Sequence, residues 1–244
     1  MSEDLSRSWQ LICAWCGPAF VITFAIFWAV LGKNLPPAGP GLSALEIATH
    51  YTQNNGSIRV GFVAAVVMVG FYMPWSAVLS VRLAAIEGKA PVMAFLQLIG
   101  GALTVMVVSM SALFWIAAAF RPERSPEMTQ TLHDLGWLTI DQLYICTTMQ
   151  MVAAGIVGLS DKSANPMLPR WTCFLAFWCA STFFPASMTA FLKAGPFAWN
   201  GVLSYYLPYG AWLGWFCVFS FYMIKHISGQ TKRAEVGLQL QTAQ

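Results

Sequence analysis

At 244 residues the chain is 57% hydrophobic and only 9% charged, with a mean hydropathy of +0.60, against roughly 25% charged residues in soluble domains. So little charge excludes a water-soluble globule, and a net charge of +3 from scattered basic residues excludes a nucleic-acid-binding face. The partners that remain are membrane lipids, a small apolar ligand, and another membrane protein or a second copy of this chain.

A hydrocarbon core about 30 Å thick is crossed by about 20 apolar residues in a helix. Six stretches meet that length: 11–31, 60–81, 92–120, 137–159, 171–192 and 205–224. Residues suited to a membrane interface mark their ends: Trp9, Arg59, Arg82, Arg121, Trp137, Arg170 with Trp171, Lys193 with Trp199, and Lys225 with His226. Pro18, Pro74, Pro185 and Pro208 fall in or beside these stretches, and kinks rather than breaks are expected there. The first stretch has only Arg7 ahead of it and no small-x-small cleavage site, so it reads as a retained span and not a signal peptide.

With the N-terminus in the cytoplasm, Arg7, Arg82, Lys89, Lys162, Arg170, Lys225, Lys232 and Arg233 fall on the inner side. Lys33, Arg59, Arg121, Arg124 and Lys193 fall on the outer side. The excess inside predicts that both termini are cytoplasmic. Residues 1–228 then form one transmembrane domain and 229–244 a polar cytoplasmic tail. In the first outer connection Ser43 and Glu46 form a capping-box pattern, followed by Ala44, Ile47, Ala48 and Tyr51 on one face, which predicts a short interfacial helix. Ser125-Pro126-Glu127 starts a second, carrying Met128, Leu132 and Leu135. The third connection, 193–207, is too aromatic for a free loop and too short to cross.

The segments LSALEIATHYTQNNGSIRVG (42–61), LHDLGWL (132–138), PRW (169–171) and FLKAGPFAWNG (191–201) carry a resemblance over nearly the whole chain. By them the chain resembles a group of uncharacterised bacterial six-span integral membrane proteins. The resemblance implies an all-α, six-helix protein of a bacterial cytoplasmic (inner) membrane. It implies no activity, cofactor or functional residue.

Asp141 is the one ionisable residue well inside an apolar stretch, and a charge there costs roughly 2.5 to 3.5 kcal/mol or more, so it nominates a site. Trp137, Asp141, Tyr144, Thr148 and Met151 share one helical face. Two readings follow. In one, Asp141, Gln142 and Tyr144 floor an outward-open ligand pocket roofed by Trp199, Asn200, Tyr205 and Tyr206; in the other, Lys193 or Arg121 reaches down to neutralise Asp141.

The remaining chemistry is sparse. Cys13 and Cys16 make a CxxC pair, but in an apolar helix without further ligands they read as small apolar side chains. His50, His133 and His226 are dispersed and expected to be solvated at the interfaces. Ser76, Ser109, Ser111, Ser181 and Ser187 lack a nearby His, and with Gly100, Gly101, Gly155 and Gly158 read as close-packing positions. No catalytic, metal or cofactor constellation stands out. The favoured expectation is binding or transport of a small, largely apolar molecule. A non-catalytic accessory or scaffold subunit is the alternative, and an enzyme with dispersed residues the third.

Overall fold

The computed structural model describes the backbone of residues 3–242 and the side chains of 6–230; the expected polar tail lies outside the latter range from residue 231 onward. Among the described residues every regular element is helical. Six helical runs are long and apolar enough to cross a membrane: Ser6–Leu31, Asn55–Glu87, Val92–Phe120, Pro126–Ser160, Arg170–Ala190 and Val202–Gln230. Their outward faces are apolar, as with Ile12, Ile22, Ile26 and Val30 on the first run. So much exposed hydrocarbon suits lipid and not water.

Helix α1 (Glu3–Thr23) widens into a π-helical segment, Phe24–Leu31. The short α2 (Ala44–Gln53) starts with the expected capping box: the Ser43 hydroxyl accepts from the Glu46 amide, and the Glu46 carboxylate accepts from the Ser43 amide. The second run divides into α3 (Asn55–Met68) and α4 (Tyr72–Glu87) at a 3-10 turn, Val69–Phe71. That turn precedes Pro74, which has no N–H to offer the Gly70 carbonyl. The third run is the uninterrupted α5 (Val92–Phe120).

The second short outer helix is not a separate element. Pro126 sits at the first turn of α6 (Pro126–Gln142), which runs into the apolar stretch, breaks at Leu143 and Tyr144, and resumes as α7 (Ile145–Ser160). The whole run has 35 residues, about 52 Å at 1.5 Å per residue, longer than a 30 Å core requires, and its first turns pack on α2. The amphipathic start and the apolar continuation share one register, which is why a boundary placed between them fails.

Proline also does more than kink the fifth run. Helix α8 (Arg170–Ser181) ends where Pro185 deprives the Ser181 carbonyl of its donor, and the chain proceeds as a 3-10 stretch, Phe184–Ala190. The sixth run opens with a π-helical turn, Val202–Tyr206, and becomes α9 (Leu207–Thr242) next to Pro208.

Helix α5 is central, touching α3, α4, α6 and α7, while α1 lies against α4 and α9. Its buried stripe, Gln97, Gly101, Thr104, Val108, Ala112, Trp115 and Ala119, recurs every three to four residues and alternates small with large side chains. A Cβ on Gly101 would overlap Ser76 Oγ and come within 2.9 Å of Gln150 Nε2, and a Cβ on Gly136 would overlap the Trp115 indole. These glycines are needed for close helix approach.

The two longest connections, 32–54 and 191–201, meet the start of α6 at one end of the bundle, the loop face. Here Trp199 Nε1 donates to the Ala38 carbonyl at 2.9 Å and Gln130 Nε2 to the Leu42 carbonyl at 3.1 Å, while Tyr205 donates to the Asn34 carbonyl. The opposite end, the terminal face, joins the end of α4 to α9 through Arg82 Nη1 and Gln230 Oε1 at 2.8 Å.

Candidate functional site

Below the loop face, four of the six runs lose α-helical geometry: the π segment 24–31, the break at Leu143 and Tyr144, the 3-10 stretch 184–190 and the π turn 202–206. They converge. Trp28 of the first stacks on Tyr205 of the last at 6.3 Å and on Tyr209 at 5.2 Å, and the 3-10 stretch packs on both α6 and the π turn. Asp141 lies on the last turn of α6 at this junction, 3% exposed.

Among the described residues no basic side chain forms an ion pair with the Asp141 carboxylate, and Oδ2 is buried without a hydrogen-bond partner. Thr189 adjoins the carboxyl, but its hydroxyl proton goes to the Ala186 carbonyl at 2.8 Å while its oxygen accepts from Gln142 Nε2 at 2.9 Å. The expected neutralising partners are elsewhere. Lys193 is exposed and acts on Asp134, and Arg121 is exposed with its guanidinium 6.0 Å over the Phe120 ring. Both side chains gain more from solvent at the bundle rim than from reaching into it.

Asp141 faces a cavity of about 30 Å³ lined also by Thr104, Tyr144, Thr147, Ser204, Tyr209 and Trp212. About 10–15 Å³ holds one water, whereas pockets for organic ligands span about 300–1,000 Å³. The space therefore suits one or two waters or a single small ion. Trp212 Nε1 is a second buried polar atom without a hydrogen-bond partner, and the Trp212 side chain adjoins the Tyr72 hydroxyl.

A line of buried polar side chains continues from the cavity toward the terminal face. Thr104 and Thr147 share a hydrogen bond at 2.9 Å, and Tyr72, which also neighbours Thr104, donates to Gln150 Oε1 at 2.5 Å. Gln150 Nε2 lies 3.5 Å from Ser76 Oγ, which also accepts from Gln97 Nε2 at 3.1 Å. Ser80 closes the series against Gln97 and the Ala94 carbonyl. Glu87 stands just beyond, accepting from the Met93 and Ala94 amides at 2.9 and 3.0 Å.

The expected site residues divide into three groups. Asp141 and Tyr144 line the cavity, with Tyr144 hydroxyl 2.8 Å from Ser187 Oγ; Gln142 sits behind it on Thr189 and on the Ala186 carbonyl at 3.2 Å. Trp137, Trp199 and Tyr205 form a packed plug: the two indoles stack at 6.2 Å and 7°, and Tyr205 meets Trp137 edge-on at 5.7 Å. Lys193, Asn200 and Tyr206 are exposed at the rim. The aromatic roof is thus a filled lid and not an open mouth, because the first connection packs onto it and leaves Trp199 only 5% exposed.

Thr104, Thr147, Thr189, Ser204, Tyr209 and Trp212 were missed by sequence reasoning. Isolated hydroxyl and aromatic residues in apolar helices carry no spacing signal for a site assembled from four runs. His133 is also corrected: it is 3% exposed, its Nδ1 is 3.0 Å from the Tyr51 hydroxyl and its Nε2 is 3.4 Å from the Ala38 carbonyl. The Ala38 carbonyl can only accept, so the ring proton of the neutral imidazole sits on Nε2 and Nδ1 accepts from the Tyr51 hydroxyl. The proton on Nε2 is then directed at Ala38.

Cys13 and Cys16 are free, part-buried thiols. Among the described residues no group of three or more His, Cys, Asp or Glu side chains converges to hold a metal. Comparison of this chain with family models, with curated proteins and with solved structures finds no match.

Proposed function

We propose that the six runs cross a bacterial cytoplasmic membrane with both termini inside, and that the protein binds a small cation, foremost the proton, at Asp141 as a step in binding or transport. The carrying observation is the buried Asp141 carboxylate, without a cationic partner among the described residues and with Oδ2 unbonded, facing a cavity of water-molecule size lined by three of the irregular helix segments. An intramembrane carboxylate without a cationic partner is stabilised by taking up a cation or a proton. Segments that depart from α geometry inside apolar helices are tolerated where they line such a cavity. The occupant is therefore smaller and more polar than the largely apolar molecule expected from composition.

The polar series from Thr147 to Ser80 supports this reading, because it offers hydroxyl and amide groups along which a proton or water could be relayed toward the terminal face. A second reading, an accessory subunit, draws support from the filled interior, in which Trp28, Trp75, Trp115, Trp137 and Trp215 are all fully buried. Thermal unfolding of the full chain in sodium, potassium, ammonium and choline chloride separates the two. Site binding predicts selective stabilisation by a small cation or by lowered pH in the wild type and not in Asp141→Asn. Equal behaviour of the two proteins in every salt and at every pH favours the accessory role.

A further inference from the structure

A second, much larger concavity opens on the terminal face, where the end of α4, the connection 161–169 and α9 enclose a groove of about 1080 Å³. Arg82, Lys162 and Lys225 line it together with the apolar side chains of Ile86 and Tyr222. One carboxylate, Asp161, lines it, and that group accepts the Ser163 amide at 2.9 Å. Among the described residues no carboxylate forms an ion pair with Arg82, Lys162 or Lys225. Arg82 Nη1 is held by Gln230, but its Nε is buried without a hydrogen-bond partner.

Three basic side chains against one carboxylate around an amphipathic groove favour an anion. A phosphate group suits such a lining: it accepts from guanidinium and ammonium groups, while the apolar side chains of Ile86 and Tyr222 suit whatever it is attached to. We propose that this groove binds a phosphate-bearing anion, either the headgroup of an anionic phospholipid or a soluble phosphate compound. Each juxtamembrane Lys or Arg strengthens attraction to an anionic membrane surface, and the proposed orientation, with both termini inside, puts this groove on the cytoplasmic side. The inference rests on the groove itself and not on the Asp141 reading.

The test uses the full-length protein in an uncharged detergent, with two probes: phosphatidylglycerol against phosphatidylcholine by native mass spectrometry, and inorganic phosphate against chloride at constant ionic strength by thermal shift. The variant is the double substitution Lys162→Gln and Lys225→Gln, both exposed positions whose loss leaves the packing intact. Binding of phosphatidylglycerol at least about tenfold over phosphatidylcholine, falling roughly 10- to 30-fold in the double variant, supports the lipid source. Saturable stabilisation by inorganic phosphate that the double variant loses supports the soluble source. Absence of preference in both arms, or preference that the double variant keeps in full, overturns the proposal.

Discussion

Replacing Asp141 by Asn separates a site carboxylate from a structural one. Were Asp141 half of a buried ion pair, removing its charge would strand a cation and cost about 3–5 kcal/mol. Among the described residues no cation pairs with Asp141, and Oδ2 has no hydrogen-bond partner to lose. The amide has the same shape, its NH₂ can face the cavity beside Thr147 and Ser204, and the desolvation cost of a charged form disappears. The expected change in stability is therefore within about 1 kcal/mol of zero, worth no more than about 2–4 °C in Tm for a chain of this length. Tryptophan-fluorescence melting of wild type and variant in the same detergent reads this directly. A loss of about 6 °C or more, restored by no salt, would mean that the carboxylate anchors the fold, and the reasoning would be refuted.

Other outcomes follow from the packing. Gly101→Ala, whose Cβ overlaps Ser76 Oγ, should cost about 1–3 kcal/mol through overpacking, and adding Ser76→Ala should recover part of it in a double-mutant cycle read by melting. His133→Ala leaves the buried Tyr51 hydroxyl unpaired and should cost about 1–3 kcal/mol, whereas the pair Tyr51→Phe with His133→Leu should cost less than the single change. The start of α2 should be acid-sensitive. The Ser43 amide and hydroxyl hold the Glu46 carboxyl below its ordinary 4.5. Its stabilisation is thus present above about pH 4.5 and lost as pH falls through the lowered value. Hydrogen exchange across Ala44–Gln53 should show that loss in the wild type and not in Glu46→Gln.

Much of the architecture was legible because lipid imposes a simple rule on helix length and polarity. All six apolar stretches became long helical runs, and Ser43 with Glu46 formed the cap that their spacing requires. Asp141 was also legible as the residue facing protein, since its neighbours Trp137, Thr148 and Met151 lie on one face and are all buried. The irregular segments were less so. Proline marks where a bond is lost, at Pro74 and Pro185, but not whether neighbouring turns tighten or stop. The π segments at 24–31 and 202–206 have no local sequence signature; the stacking of Trp28 on Tyr205 and Tyr209, residues more than 170 positions apart, is the kind of contact that defines them. The expected open pocket became a plug for the same reason: aromatic content in 193–207 signals burial, but says nothing about which segment covers it.

Proton uptake into proteoliposomes carrying the full-length protein and an internal pH indicator, driven by an imposed potential, addresses the claim about Asp141 most directly. The account predicts acidification in the wild type that Asp141→Asn abolishes while its melting temperature stays within a few degrees. Uptake of equal rate in both proteins, or a wild type that neither moves protons nor responds to small cations, contradicts it.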